Sequence, residues 1–235
     1  MKRLIGSLIF VCLSISTWTV MAAQLVVVAS TAPAIKPGQI VDGAKKLEIP
    51  AGASVTLVSQ AGKSMKLAGP YSGVPGSGSG GGDGKTIGSI SKLFSGSGTE
   101  SGTLGAMRSA GGGVPGDPRL VDISRSGTHC YTANDSLQLW RDKASAAAVL
   151  SMRNLSGGSR VSASWPAGDA TVGWPEGLAL ENGAAYLARI KGRPTAAKIT
   201  LRTMPGDLDT DVSRALWMAD NGCASQARRL LSSLK

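Results

Sequence analysis

Residues 80–86 read Gly-Gly-Gly-Asp-Gly-Lys-Thr, the lettering of a loop that cradles nucleotide phosphates. That loop needs Gly, four residues, then Gly-Lys-Ser/Thr, set between a buried strand and a helix whose amide-rich start holds the anion. Ser79 stands where the first glycine belongs. Pro70 to Pro75 does not read as a strand, and Ile87 to Ser91 reads as a poor helix start. Nucleotide is therefore not an expected ligand. The single histidine, His129, cannot complete a zinc set of three or four protein ligands. Nor does it pair with Cys130 as a nucleophile, because adjacent strand residues point to opposite faces. Asp207, Asp209 and Asp211 read as helix capping rather than acid–base chemistry, and Asp135 with Asp142 is the other carboxylate pair in reach. The expectation is a protein without catalytic residues, metal or cofactor. A hydrolase using these carboxylates is the least supported reading.

Two aromatic pairs remain. Trp165-Pro166 and Trp174-Pro175 repeat the same dipeptide in a region with little other aromatic content. Exposed indole faces would stack on sugar rings, making Trp165 and Trp174 the candidate ligand-binding residues; packing in the core is the competing use.

Compartment follows from the first residues. Met1-Lys2-Arg3 is positive, Leu4 to Val20 is mostly apolar, and Val20-Met21-Ala22-Ala23 offers small residues for cleavage after Ala22 or Ala23. This is the order of a secretory signal peptide, assigned to residues 1–23. No later segment is apolar for the ~20 residues that span a bilayer, so the mature chain is not expected to cross a membrane. Loss of Lys2 and Arg3 takes Lys plus Arg from 25 to 23 against 15 acidic residues, a net +8. The basic residues are scattered, with no run longer than a pair, which favours a basic surface without a dedicated anion site. An envelope protein or an anionic or glycan envelope polymer is the expected partner, and export argues against nucleic acid. Of the three cysteines, Cys12 lies in the leader, leaving Cys130 and Cys223. In an oxidising compartment this even pair reads as a disulfide, worth roughly 4 kcal/mol less any strain; two separate buried thiols are the alternative.

The elements that would position these residues fall into three regions. Residues 24–71 alternate apolar and polar positions through Leu25–Val28, Gln39–Val41, Leu47–Ile49 and Ser54–Val58, a small β module. Its hairpin runs from Ser54–Ser59 to Lys63–Leu67, with Gly62 taking the positive φ. Residues 72–118 are rich in Gly, Ser, Pro and Thr and read as a flexible linker, with apolar islands at 87–90 and 92–94. Residues 119–235 return to short strands: Gly127–Tyr131 and Ser136–Trp140 around the turn 133–135, Ala147–Met152, Arg160–Trp165, Ala179–Leu180, Ala185–Ile190 and Lys198–Arg202. Glu181-Asn182-Gly183 offers a tight hairpin turn. A helical hairpin ends the chain, its first helix capped by Asp207 or Asp209 and stopped by Asn221-Gly222, with Cys223 at the corner. The predicted fold class is mainly β: an N-terminal β module, a Gly/Ser linker, and a β sandwich-like domain ending in a helical hairpin.

One stretch resembles a known family. Ala44 to Gly52 (AKKLEIPAG), the hydrophobic hairpin after it, and Lys66-Leu67-Ala68-Gly69-Pro70 resemble the FecR-type β domain of bacterial envelope proteins, over residues 38–70. This chain lacks the membrane helix of those signalling proteins, so their signalling role does not carry over. The resemblance implies a periplasmic β module used for contacts with proteins or envelope polymers. The resulting expectation is an exported bacterial binding or scaffolding protein, periplasmic or secreted.

Overall fold

The computed structural model describes residues 23–76, 85–95 and 113–234. The expected signal segment through Ala22, and stretches 77–84 and 96–112 of the expected linker, lie outside the described residues.

The N-terminal strands are β1 (Gln24–Ser30), β2 (Ile40–Asp42), β3 (Leu47–Ile49), β4 (Ser54–Ser59), β5 (Ser64–Ala68) and β6 (Tyr71–Gly73). They make an antiparallel sheet in the order β2-β1-β4-β5 and a β3–β6 ribbon. Gly62 closes the β4–β5 hairpin at φ 74°. Leu25, Val27, Ile49, Val55 and Leu57 form one core beneath the sheet. Val26, Val28 and Val58 point the other way, into a second core. The unbroken run Leu25–Val28 thus reflects a strand buried on both faces.

What covers that second face corrects the linker expectation. Residues 85–95 form a helix, α1 (Lys85–Ser95), with Ile87, Ile90 and Phe94 buried. These lie at i, i+3 and i+7, one stripe of a helix. Gly88 and the serines weaken the local preference, but burial against β1 outweighs it, as tertiary packing commonly does for short helices. Ser91 donates to the Gly38 carbonyl (2.7 Å), and Arg228 Nη1 donates to the Leu93 carbonyl (3.3 Å) in the last turn. Gly38 sits at φ 88°, and a Cβ there would lie 2.7 Å from Phe94 Cβ. Only glycine permits both the turn and the close approach. The β6 strand also carries order past residue 71, two positions into the expected linker.

The C-terminal strands are β7 (Val121–Asp122), β8 (Gly127–Thr132), β9 (Gln138–Trp140), β10 (Ala148–Asn154), β11 (Val161–Trp165), β12 (Thr171–Gly173), β13 (Ala185–Ile190) and β14 (Ala197–Met204). They form a five-stranded sheet, β11-β10-β13-β14-β8, and a three-stranded sheet, β12-β9-β7. Val121 and Leu139 from the small sheet share one core with Leu150, Trp165, Tyr186 and Leu201 from the large one. This is the expected sandwich. β8 and β9 do not pair as the turn at 133–135 suggests; they belong to different sheets. Ala179–Leu180 is not a strand. The Tyr186 hydroxyl holds that segment instead, donating to Ala179 O (2.7 Å) and accepting from Glu181 N (3.0 Å). The turn at 181–183 therefore leads into β13 without closing a hairpin.

The chain ends in α2 (Asp211–Asp220) and α3 (Ala224–Ser232). Thr210, not Asp207 or Asp209, caps α2, with a reciprocal bond from Ser213 completing a capping box. Val212, Ala215, Met218, Ala227 and Leu231 pack with α1, Val26 and Val28 in the second core. The two β regions thus meet across a three-helix layer. Among the described residues no helix is long and apolar enough to cross a membrane.

Candidate functional site

Cys130 and Cys223 form a disulfide with Cα atoms 5.9 Å apart. It joins β8 to the α2–α3 corner, and both residues are buried. Beside it Gln226 does a strand's work at the free edge of β8. Its amide oxygen accepts from Cys130 N (2.7 Å), and its nitrogen donates to Cys130 O (3.0 Å) and Pro118 O (2.7 Å). One side chain thereby satisfies backbone groups that a sheet edge leaves open.

The tryptophan expectation does not survive for Trp165. Its side chain is fully buried, Nε1 donates to Asp169 O (2.9 Å), and the Arg141 guanidinium lies 5.0 Å from the ring centre. Trp174 is half-buried, donates to Leu178 O (2.7 Å) and meets Tyr186 edge-on. With Trp165 inside the core the two indoles do not form a paired platform, while Trp174 keeps part of its ring at the surface.

The remaining sequence candidates separate in space. Asp142 accepts from Ser124 Oγ and pairs with Arg193 at 2.7 Å. Burial pushes its carboxyl up, but Arg193 and Ser124 outweigh that and hold it below the ordinary range. Asp135 instead accepts from Thr132 Oγ1. Asp211 pairs with Arg214 at the start of α2. Among the described residues no group of three His, Cys, Asp or Glu side chains could hold a metal. The glycine run lies mostly outside the described residues. The helix that follows it and the short strand β6 before it were both unexpected, yet β6 belongs to a two-stranded ribbon, not a buried parallel sheet.

Sequence reading missed a buried polar cluster. Asp122 accepts from Ser124 N (2.8 Å) and pairs with Arg125 (3.0 Å); burial raises its pKa against those contacts. Among the described residues His129 has no hydrogen-bond partner at either ring nitrogen, and Arg229 none at Nε or Nη2. Burial, with the Arg229 charge adding to it, lowers the His129 pKa to about 4. Charge alternation along the strands held no sign of this, because the partners come from different elements.

The strongest surface feature is also one the linear sequence scatters. The five strands of the large sheet contain no Asp or Glu, and their only Arg and Lys residues are Arg153, Arg189, Lys198 and Arg202. Strand alternation turns all four away from the sandwich core, and all are exposed. The register sets Arg153, Leu187 and Lys198 in one row across β10, β13 and β14, with Arg189 opposite Ser151 in the next. Neighbouring strands are about 4.8 Å apart, so the Arg153 and Lys198 backbones are separated by roughly 10 Å. Arg160 and Lys191 extend the same face at the ends of β11 and β13. Ser151, Ser162, Ser164 and Thr200 fill the gaps between the charges. None of the six cations enters an ion pair among the described residues. The helical pair covers the β8 end of this face, where Cys130 and Met204 enter the second core. Across β11, β10, β13 and the exposed cations of β14 the face has no carboxylate in its strands and can take several anionic groups at once.

No family model, curated protein or solved structure matches the chain.

Proposed function

We propose that this chain is an exported, non-catalytic binding protein of the bacterial envelope that holds an anionic polymer on the outer face of its large sheet. One observation carries the reading: six unpaired cations share a face whose five strands have no carboxylate. Such a surface concentrates positive potential and attracts polyanions over distances set by salt. The disulfide supports an oxidising compartment, periplasmic or secreted, and the leader-like first residues support export. A polymer is favoured over a small anion because the cations are spread over several strands. The FecR-like stretch at residues 38–70 fits an envelope contact module on the opposite side of the helical layer.

The test is retention on beads carrying a carboxylate polymer such as polygalacturonate, with uncharged dextran beads as control. Retention at low ionic strength should fall steeply above about 0.15 M salt, where the screening length shrinks to ~8 Å. Arg153→Glu with Lys198→Glu should abolish retention, whereas Lys45→Glu with Lys46→Glu should leave it intact. Equal losses from both double variants would reduce the effect to net charge and refute the face.

A further inference from the structure

A second site, of opposite sign, lies at the free edge of β8. A cavity of about 280 Å³ opens there between the 117–120 loop, the Cys130–Thr132 stretch and the start of α2's last turn. Its floor is apolar and sulfur-rich: Leu120, Leu137, Met204, Met218 and the disulfide at Cys130. Its walls are fixed. The disulfide ties β8 to the helices, and Gln226 ties the Pro118 carbonyl to the same edge.

The charges at the rim decide what fits. Arg119 is committed to Asp117, donating from Nε and Nη2 to both carboxylate oxygens at 2.8–3.2 Å. That contact holds the Asp117 carboxyl below its ordinary range. Asp135 enters no ion pair among the described residues; Thr132 donates to one of its oxygens and leaves the other open. The rim thus sets two carboxylates, Asp117 and Asp135, against the one guanidinium of Arg119, whose charge both of them attract, so the mouth is net negative on a protein whose net charge is strongly positive. We infer that this cavity binds an aliphatic ammonium, with the carbon stem on the Met204–Met218 floor and the cationic head on Asp135. Methionine floors suit unbranched stems because their thioethers adapt and polarise, and a charge-assisted bond to a carboxylate supplies direction. The shared chemistry has two sources: a free alkylamine, or the lysine side chain of a partner polypeptide.

A titration of the mature chain followed by two-dimensional NMR tests this, using pentylamine, pentanol and pentanoate as probes. Pentylamine should shift the Tyr131 and Gln138 amides and the Met218 methyl. It should bind at least about tenfold more tightly than pentanol, and pentanoate should not bind. Asp135→Asn should remove the preference for the amine while keeping the weak pentanol response, which also shows that the variant is folded. Nα-acetyl-lysine amide separates the sources: shifts matching those of pentylamine support a polypeptide side chain, and shifts from pentylamine alone support a free amine. Equal binding of amine and alcohol, or an Asp135→Asn variant that keeps the preference, overturns the proposal. So does a cavity-filling Met218→Trp variant that binds pentylamine unchanged.

Discussion

His129 carries the clearest pH signature in the molecule. Burial first, and the Arg229 charge second, hold its folded pKa at about 4, below the ordinary 6.5. In the unfolded chain the imidazole regains its ordinary value, so between pH 6.5 and 4 the unfolded state binds the proton and the folded state does not. Stability linked to this group is therefore complete above pH 6.5 and declines as pH falls toward 4. A shift of this size corresponds to roughly 3 kcal/mol. Urea unfolding at pH 7 and pH 4 should show an acid loss larger in the native sequence than in His129→Phe by about that amount; equal losses would place His129 in contact with water. Gln226 is the other residue whose role is singular. Gln226→Leu would strand the Cys130 amide, the Cys130 carbonyl and the Pro118 carbonyl, at a cost of about 3 kcal/mol. Faster hydrogen exchange at the Cys130 amide would be the local readout. Neither role was legible in sequence. A lone histidine and a helical glutamine have no pattern, and their meaning comes from neighbours roughly a hundred positions away.

At the scale of elements, alternation and turn chemistry carried most of the reading. β3, β5 and β13 fall where alternation puts them, because each has one face on a core, whereas β1 and β4 fall on apolar-rich stretches because both of their faces are buried. The failures have local causes. β12 (Thr171–Gly173) has Val172 as its single apolar side chain and so shows no period. Ala179–Leu180 has strand-like letters, but Tyr186 captures it as a loop. Helix α1 was hidden by its glycine-rich surroundings, although Ile87, Ile90 and Phe94 kept helical spacing. Its burial gives a direct prediction. Ile90→Ala should cost about 2–5 kcal/mol in urea unfolding, as expected for a fully buried aliphatic side chain. If the segment were a free spacer, the same change would be neutral. Gly38→Ala should also destabilise, by about 2 kcal/mol or more, since positive φ and the Phe94 contact oppose it together.

For the whole molecule, the helical layer changes the meaning of the composition. Two β regions that look like separate modules contribute to one core, so they should unfold together, and reduction of the disulfide should lower the stability of both. Likewise, six basic residues dispersed between Arg153 and Arg202 share one sheet face because strand spacing and register, not chain proximity, decide which side chains are neighbours. We propose this face as the place where the protein meets an anionic polymer. The most direct test is an amide-shift map of the chain from Gln24 onward during titration with polygalacturonate at low salt. The largest shifts should fall on β10, β13 and β14 around Arg153, Arg189 and Lys198. Shifts centred on Lys45, Lys46, Lys63 and Lys66 of the N-terminal sheet, or spread evenly over every exposed lysine and arginine, would contradict it.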